Sequence, residues 1–359
     1  MHRGPAPGCG TLRFPALQSR NLQRKARKRR EARGERRETK DERKTDPRRK
    51  TQWSRFTGGS GAPYWTLRKA GLDPTQFEAT GAAVLQNCAP DPANMTKMIW
   101  STNYNKLATA TMFTLFFGGA HFAPKVTATW DFAESETPFV LKHFPNVVLH
   151  QDMNIQYYLQ AHYCLAMQRL CRALFQATLH GAVVMGYETM NEPSPGFIGI
   201  EDLCKVNKKT WELNLGPSPT PYQGMRLGCG LAEEVEEWAF TWKGPAKKGK
   251  TKIEPNGAKV WSDEAPCLWQ KAGIWDPEKG LLKPDHFSKY ETDNGKKPIH
   301  FMTDFFRPFV QTYAAVIHDI DPTMMIFVCP PPGQTHVPLP GVAKVVDAAH
   351  WYDGLTLIT

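Results

Sequence analysis

Twice along this chain, apolar residues at helical spacing run straight into a short apolar segment, and that order narrows the fold class sharply. Asn154 is placed as an N-cap, apolar residues recur at Ile155, Leu159, Leu165, Leu170 and Leu174, and Gly181 lies where a helix would stop. Ala182 to Tyr187 then reads as a strand covered on both faces, as in parallel sheets. The unit repeats downstream. Asp304 is placed to cap a helix carrying Phe305, Phe309, Val310, Tyr313 and Ile317, Asp321-Pro322 ends it, and Met324 to Val328 reads as a buried strand. A third strand, Val342 to Ala349, leads into His350. No hairpin signal separates the units, so a parallel α/β sheet of the barrel class is expected.

Chemistry enters where the first strand ends. Asn191-Glu192-Pro193 follows the apolar run, which puts a carboxylate at the C-terminal end of a strand, where barrel enzymes keep their acids and bases. Proline disfavours the right-handed helical region for the residue before it, so Glu192 is expected on an extended or turn-like segment at the rim. A carboxyl group in a half-dry cleft is suited to giving a proton to a leaving-group oxygen. Asn191 could orient that acid or bind a substrate hydroxyl. His350 and Tyr352 alternate along an extended segment and share a face, with Trp351 on the other.

Long blocks extend this beyond a tripeptide. They run from Trp53 to Pro63, Trp100 to Tyr104, Lys106 to Ala108, Thr111 to Phe117, Asn154 to Gln160, Tyr187 to Gly199, Gly216 to Met225, and His350 to Leu357. In this order they resemble glycoside hydrolase family 5, in its fungal branch of steryl glucosidases and endoglycoceramidase-related proteins. The resemblance implies a (β/α)8 TIM barrel and a retaining β-glucosidase acting on a glycolipid, steryl glucoside or glucosylceramide. It makes Glu192 the acid/base, with Asn191, His350 and Tyr352 supporting it and the sugar, and it implies neither cofactor nor metal.

Retention requires a second carboxyl group about 5 Å from the first. In the family that nucleophile is a glutamate on the seventh strand, and this sequence contains no counterpart of it after His350-Trp351-Tyr352. Nor do strands one to three or eight have counterparts, so the expected barrel is incomplete, from about the end of strand three to strand six. The expectation is that the chain by itself does not complete turnover. Thr127 to Gln151 reads as an insertion relative to the family, and Cys329 stands where several members carry an acidic residue.

Charge divides the chain at residue 50. Residues 1–50 hold 18 of the 45 Lys and Arg but only 6 of the 35 Asp and Glu, so the net charge of +10 belongs to this segment. With almost no apolar residues between Arg20 and Lys50 it cannot bury enough surface to fold, and it reads as a disordered basic tail ahead of a partial catalytic domain, 51–359. A nucleic-acid or membrane-surface arm and a misassembled 5′ region stay open beside that reading. No nucleic-acid partner is expected, whereas peripheral membrane contact would suit a glycolipid substrate. Neither a signal-peptide core nor a membrane-length apolar run is found, which points to an intracellular, cytoplasmic or vacuolar protein. The eight cysteines have no Cys-x-x-Cys spacing, so reduced thiols are expected, without a zinc site or disulfide framework.

About a hundred residues between Pro193 and His300 read as a long connection shaping the substrate side. Trp211, Trp238, Trp242, Trp261, Trp269 and Trp275 fall in it, each a sugar or sterol platform or simply buried area. A non-catalytic sugar-binding remnant is the alternative to the hydrolase.

Overall fold

The computed structural model describes residues 62–85, 99–207, 214–262, 266–292 and 295–350. The segment 1–50 and Tyr352 lie outside the described residues. Everything described falls in the compact unit Gln52–Thr359.

At its centre is a parallel sheet of three strands, ordered Val345–Asp347, Met325–Val328, Gly186–Glu188. Ile326 pairs with Tyr187 on one side and with Val345 on the other. Gly186 is required here, because a Cβ would meet the Met325 carbonyl oxygen at 2.3 Å. This α/β core with a parallel sheet agrees with the expected class. The described strands do not close into a barrel.

The apolar run ahead of the first strand behaves differently from its reading. Only Gly186–Glu188 is strand; residues 181–183 form a turn, and Val183 and Met185 are 75% and 62% exposed. Gly186–Glu188 is an edge strand among the described residues, so one flank of the run has no neighbour to cover it.

Two helices, Ile155–Gln176 and Arg307–His318, reach the first strand and the residue after it through Tyr163 and Tyr313, and a third, Leu107–Phe122, packs against Ile155–Gln176. Leu107–Phe122 is apolar all round, with twelve of its sixteen residues buried, as an interior helix must be. Gly118 departs from helical geometry at φ −130°, which frees the Ala120 N–H to bond Gln156 Oε1 at 2.9 Å. Ile155–Gln176 starts where expected, with Asn154 Oδ1 accepting from the Gln156 N–H. It buries Ile155, Leu159 and Leu165 but leaves Leu170 47% exposed. Arg307–His318 follows a π turn, Met302–Phe306, and Phe305, Phe309, Val310, Tyr313 and Ile317 are all buried. Asp304 is therefore not the N-cap. It sits inside the π turn, where its carboxylate accepts the His300 N–H at 3.0 Å.

The long connection is more ordered than its composition suggests. Gly216–Ser218, Glu233–Thr241 and Gly244–Ile253 form an antiparallel sheet, bulged between Glu237 and Trp238. Alternating Glu and Lys face each other across its hairpin, with Lys247 bonded to Glu236 and Lys250 to Glu234, both at 2.6 Å. The expected absence of hairpins is corrected by this sheet, whose charged strands carry no apolar alternation. The expected insertion contains the helix Thr137–His143, and its flanks pair as Thr127–Ala128 with Met153–Asn154.

None of the described helices is long and apolar enough to cross a membrane. The six described cysteines are free thiols.

Candidate active site

The strand Gly186–Glu188 is held by hydroxyls from two helices. Tyr313 Oη donates to the Glu188 carbonyl at 2.8 Å, and Tyr163 Oη donates to that of Thr189 at 2.6 Å. The Thr189 N–H donates to the Phe327 carbonyl at 2.9 Å, extending the ladder one residue past the strand. Burial and nearby groups push both phenols upward, so they stay neutral donors. Beneath them the Tyr187 hydroxyl lies 2.7 Å from His180 Nε2, and His180 Nδ1 lies 2.8 Å from Asp321 Oδ2.

Beyond the strand the chain turns sharply. Glu192 has φ +42°, a left-handed conformation that non-glycine residues seldom take. This is turn-like, as the following proline suggests, but not extended. Strain of this kind, of order 1–3 kcal/mol, persists only where surroundings fix it. Here Tyr104 Oη donates to the Glu192 carbonyl at 3.1 Å, Thr114 Oγ1 accepts the Phe197 N–H at 2.9 Å, and Gly196 packs on the Ala110 carbonyl.

The side chain of Glu192 is only 11% exposed, and its Oε1 lies 2.9 Å from His350 Nδ1. His350 is placed by the third strand, where the Ala348 N–H donates to the Val328 carbonyl and the Ala349 N–H to Asp347 Oδ1. Its other nitrogen, Nε2, lies 3.5 Å from Glu188 Oε1. Cys329, buried at the end of the middle strand, brings its sulfur into the same group. Burial pushes that thiol up, partly opposed by the Glu192 N–H. All three parallel strands thus deliver side chains to one edge of the sheet, where ligands bind in open and closed α/β sheets.

Of the sequence candidates, Glu192 and His350 are brought together. Asn191 is exposed at the surface of the same turn. Sequence reasoning gave no role to Glu188, although it lies within the block around Asn-Glu-Pro, and noted Cys329 only as a departure. Trp261, Trp269 and Trp275 are buried, with Trp269 edge-on to Phe197 and Phe287, so they are core and not platforms. Trp242 is 90% exposed at the hairpin turn, beside Lys243. Trp211 lies outside the described residues.

A parallel α/β sheet with a carboxylate–imidazole pair at the C-terminal ends of its strands defines an α/β protein with a candidate polar site there. Relatives make it particular: the chain is a homologue of fungal glucosylceramidases and steryl β-glucosidases, all glycosidases by name. It is 37% identical over 331 residues to a glucosylceramidase of Aspergillus fumigatus, covering 86% of this chain and 41% of that one. With the ergosteryl-beta-glucosidase of Saccharomyces cerevisiae it shares 33% identity over 346 residues, 85% of this chain and 42% of the other. The crystal structure of Cryptococcus neoformans sterylglucosidase 1 with tris superposes with a TM-score of 0.74 at 33% identity, covering 86% of this chain and 44% of that one. The chain therefore spans about two-fifths of the length of the curated relatives it matches. No family model matches it.

Proposed function

We propose that this chain carries the proton-transfer half of a retaining β-glucosidase of glycoside hydrolase family 5, acting on steryl glucoside or glucosylceramide at the rim of a (β/α)8 barrel. The observation that carries this reading is the Glu192–His350 contact at the C-terminal edge of the parallel sheet. It occurs in a chain at least a third identical to glycosidases of both substrate names.

In this role Glu192 donates its proton to the glycosidic oxygen as the lipid alcohol leaves, then takes one from the water that attacks the glycosyl intermediate. His350 holds the carboxyl oxygen that is not presented to the sugar. Asn191, on the open side of the turn, is placed to meet a sugar hydroxyl, and Tyr352 is assigned the sugar side through the family motif. Glu188 receives no nucleophile role, because it engages the opposite nitrogen of the same imidazole. That arrangement puts a ring between the two carboxyl groups where a retaining pair needs the substrate. The nucleophile is left unassigned, and the chain by itself is expected to lack full turnover. Azide or formate, supplied as an external nucleophile, would then take its place.

Release of the sterol from ergosteryl β-glucoside and of ceramide from glucosylceramide, with and without azide, tests this, since azide attack at the anomeric carbon leaves glucosyl azide and frees the alcohol that Glu192 protonates. The expected result is release in the presence of azide that Glu192→Gln abolishes. No release under either condition, or release unaffected by the substitution, contradicts the proposal.

A further inference from the structure

The expectation of no zinc site came from cysteine spacing, and spacing along the chain does not see groups that a sheet assembles. Glu188, Cys329 and His350 come from the ends of the three parallel strands, and a carboxylate oxygen, a thiol sulfur and an imidazole nitrogen from them lie within 4.8 Å of one another. We propose that these three side chains form a binding site for a borderline-soft divalent transition ion, Zn2+ above all, at the floor of the candidate active site.

The hydrogen-bonding of His350 is the second observation. Its Nδ1 lies 2.9 Å from Glu192 Oε1, and in the neutral tautomer whose Nδ1–H donates to that carboxylate the lone pair is left on Nε2. That lone pair faces Glu188 Oε1 at 3.5 Å, a carboxylate with no proton to offer when ionised. A proton on Nε2 or a metal ion relieves the repulsion of two facing acceptors, and only the metal ion also engages the Cys329 sulfur beside them. The resulting chain of carboxylate, imidazole and metal is the arrangement by which a second-shell carboxylate fixes the tautomer of a zinc-bound histidine.

Ligand type and spacing agree. Thiolate, imidazole and carboxylate together suit Zn2+ and not Mg2+ or Ca2+, which take oxygen ligands. Tetrahedral zinc, with bonds of about 2.0 to 2.3 Å, needs donors about 3.5 Å apart. The His350–Glu188 distance already has that value. Glu188 and His350 side chains are 41% and 30% exposed, free to close the remaining gap to the buried Cys329 and to admit the ion. Three protein ligands leave a fourth position open to water or a sugar hydroxyl. Occupation would hold His350 to the floor of the site and so set the orientation of the Glu192 carboxyl.

Cobalt replaces zinc with a visible signature. Titrating the metal-stripped, reduced protein with Co2+ should give a thiolate-to-cobalt charge-transfer band in the near ultraviolet that saturates at one ion per chain, and stoichiometric Zn2+ should bleach it. Cys329→Ser should remove the band. His350→Ala and Glu188→Gln, both at partly exposed positions that leave the fold's core intact, should weaken Co2+ binding at least tenfold. Circular dichroism reports whether each variant folds, and the readout does not depend on sugar hydrolysis. Absence of the band in the wild type, or its persistence in folded Cys329→Ser or undiminished affinity in folded His350→Ala, would overturn the proposal.

Discussion

His350 Nδ1 and Glu192 Oε1 meet at 2.9 Å although 158 positions separate the residues in sequence, and only the parallel alignment of their two strands on either side of Met325–Val328 brings them together. The carboxyl group is largely buried and is held by the imidazole from the neighbouring strand. Stability of the sheet and activity of the site are therefore linked through the same few residues.

Removing the imidazole should weaken both. A hydrogen bond to a charged group is worth ~1.5–3 kcal/mol, or roughly 10- to 150-fold in rate at 1.4 kcal/mol per decade. His350→Ala is expected to slow azide-supported release of a poor leaving group by that factor and, because the Glu192 side chain is only 11% exposed, to lower the unfolding midpoint as well. A lowered midpoint with an unchanged rate would mean that His350 only packs.

Gly196 holds the loop after Glu192 close to the helix Leu107–Phe122. At φ +62°, with a Cβ 2.4 Å from the Ala110 carbonyl oxygen, Gly196→Ala must shift backbone and should cost ~3 kcal/mol or more. Gly249→Ala, in the charged hairpin with nothing within 4 Å, is the control and should be neutral. Urea midpoints of the two variants check this.

Tyr313→Phe deletes the hydroxyl that donates to the Glu188 carbonyl from a fully buried ring. The expected loss is about 1–2 kcal/mol, because a buried carbonyl forfeits its partner. A urea titration should show a lower midpoint with an unchanged slope.

Acid should destabilise the fold before its carboxylates titrate. Burial, helped by Lys283, holds His286 down to about 4 from its ordinary 6.5, so the unfolded chain binds the proton more readily than the folded one. Its contribution is intact above about 6.5 and is lost as pH falls toward about 4. Burial lowers His121 in the same direction. Urea midpoints should fall across that window, and less steeply in His286→Gln.

How much of this was legible follows from which forces leave a local trace. The Asn154 cap and the stripe Phe305, Phe309, Val310, Tyr313 and Ile317 are local signals of capping and helical spacing, and the structure keeps both. Asp304 resembled a cap because its side chain does bind a backbone N–H, but a π turn starts the helix two residues earlier. The charged hairpin was invisible to apolar periodicity, since Glu–Lys pairs hold its strands together. The left-handed turn at Glu192 depends on Tyr104 and Gly196, residues far from it in sequence or chosen for backbone space. Glu188 and Cys329 gain meaning only from the register that sets them beside His350.

The central claim is that Glu192 delivers the proton to the departing alcohol, and leaving-group dependence tests it most directly. With azide present, Glu192→Gln should slow release of a poor leaving group such as methanol or a sterol by ~10²- to 10⁴-fold. Release of 2,4-dinitrophenolate, which departs without a proton, should stay near the wild-type rate. Equal losses on both substrates, or no loss on either, would contradict the account.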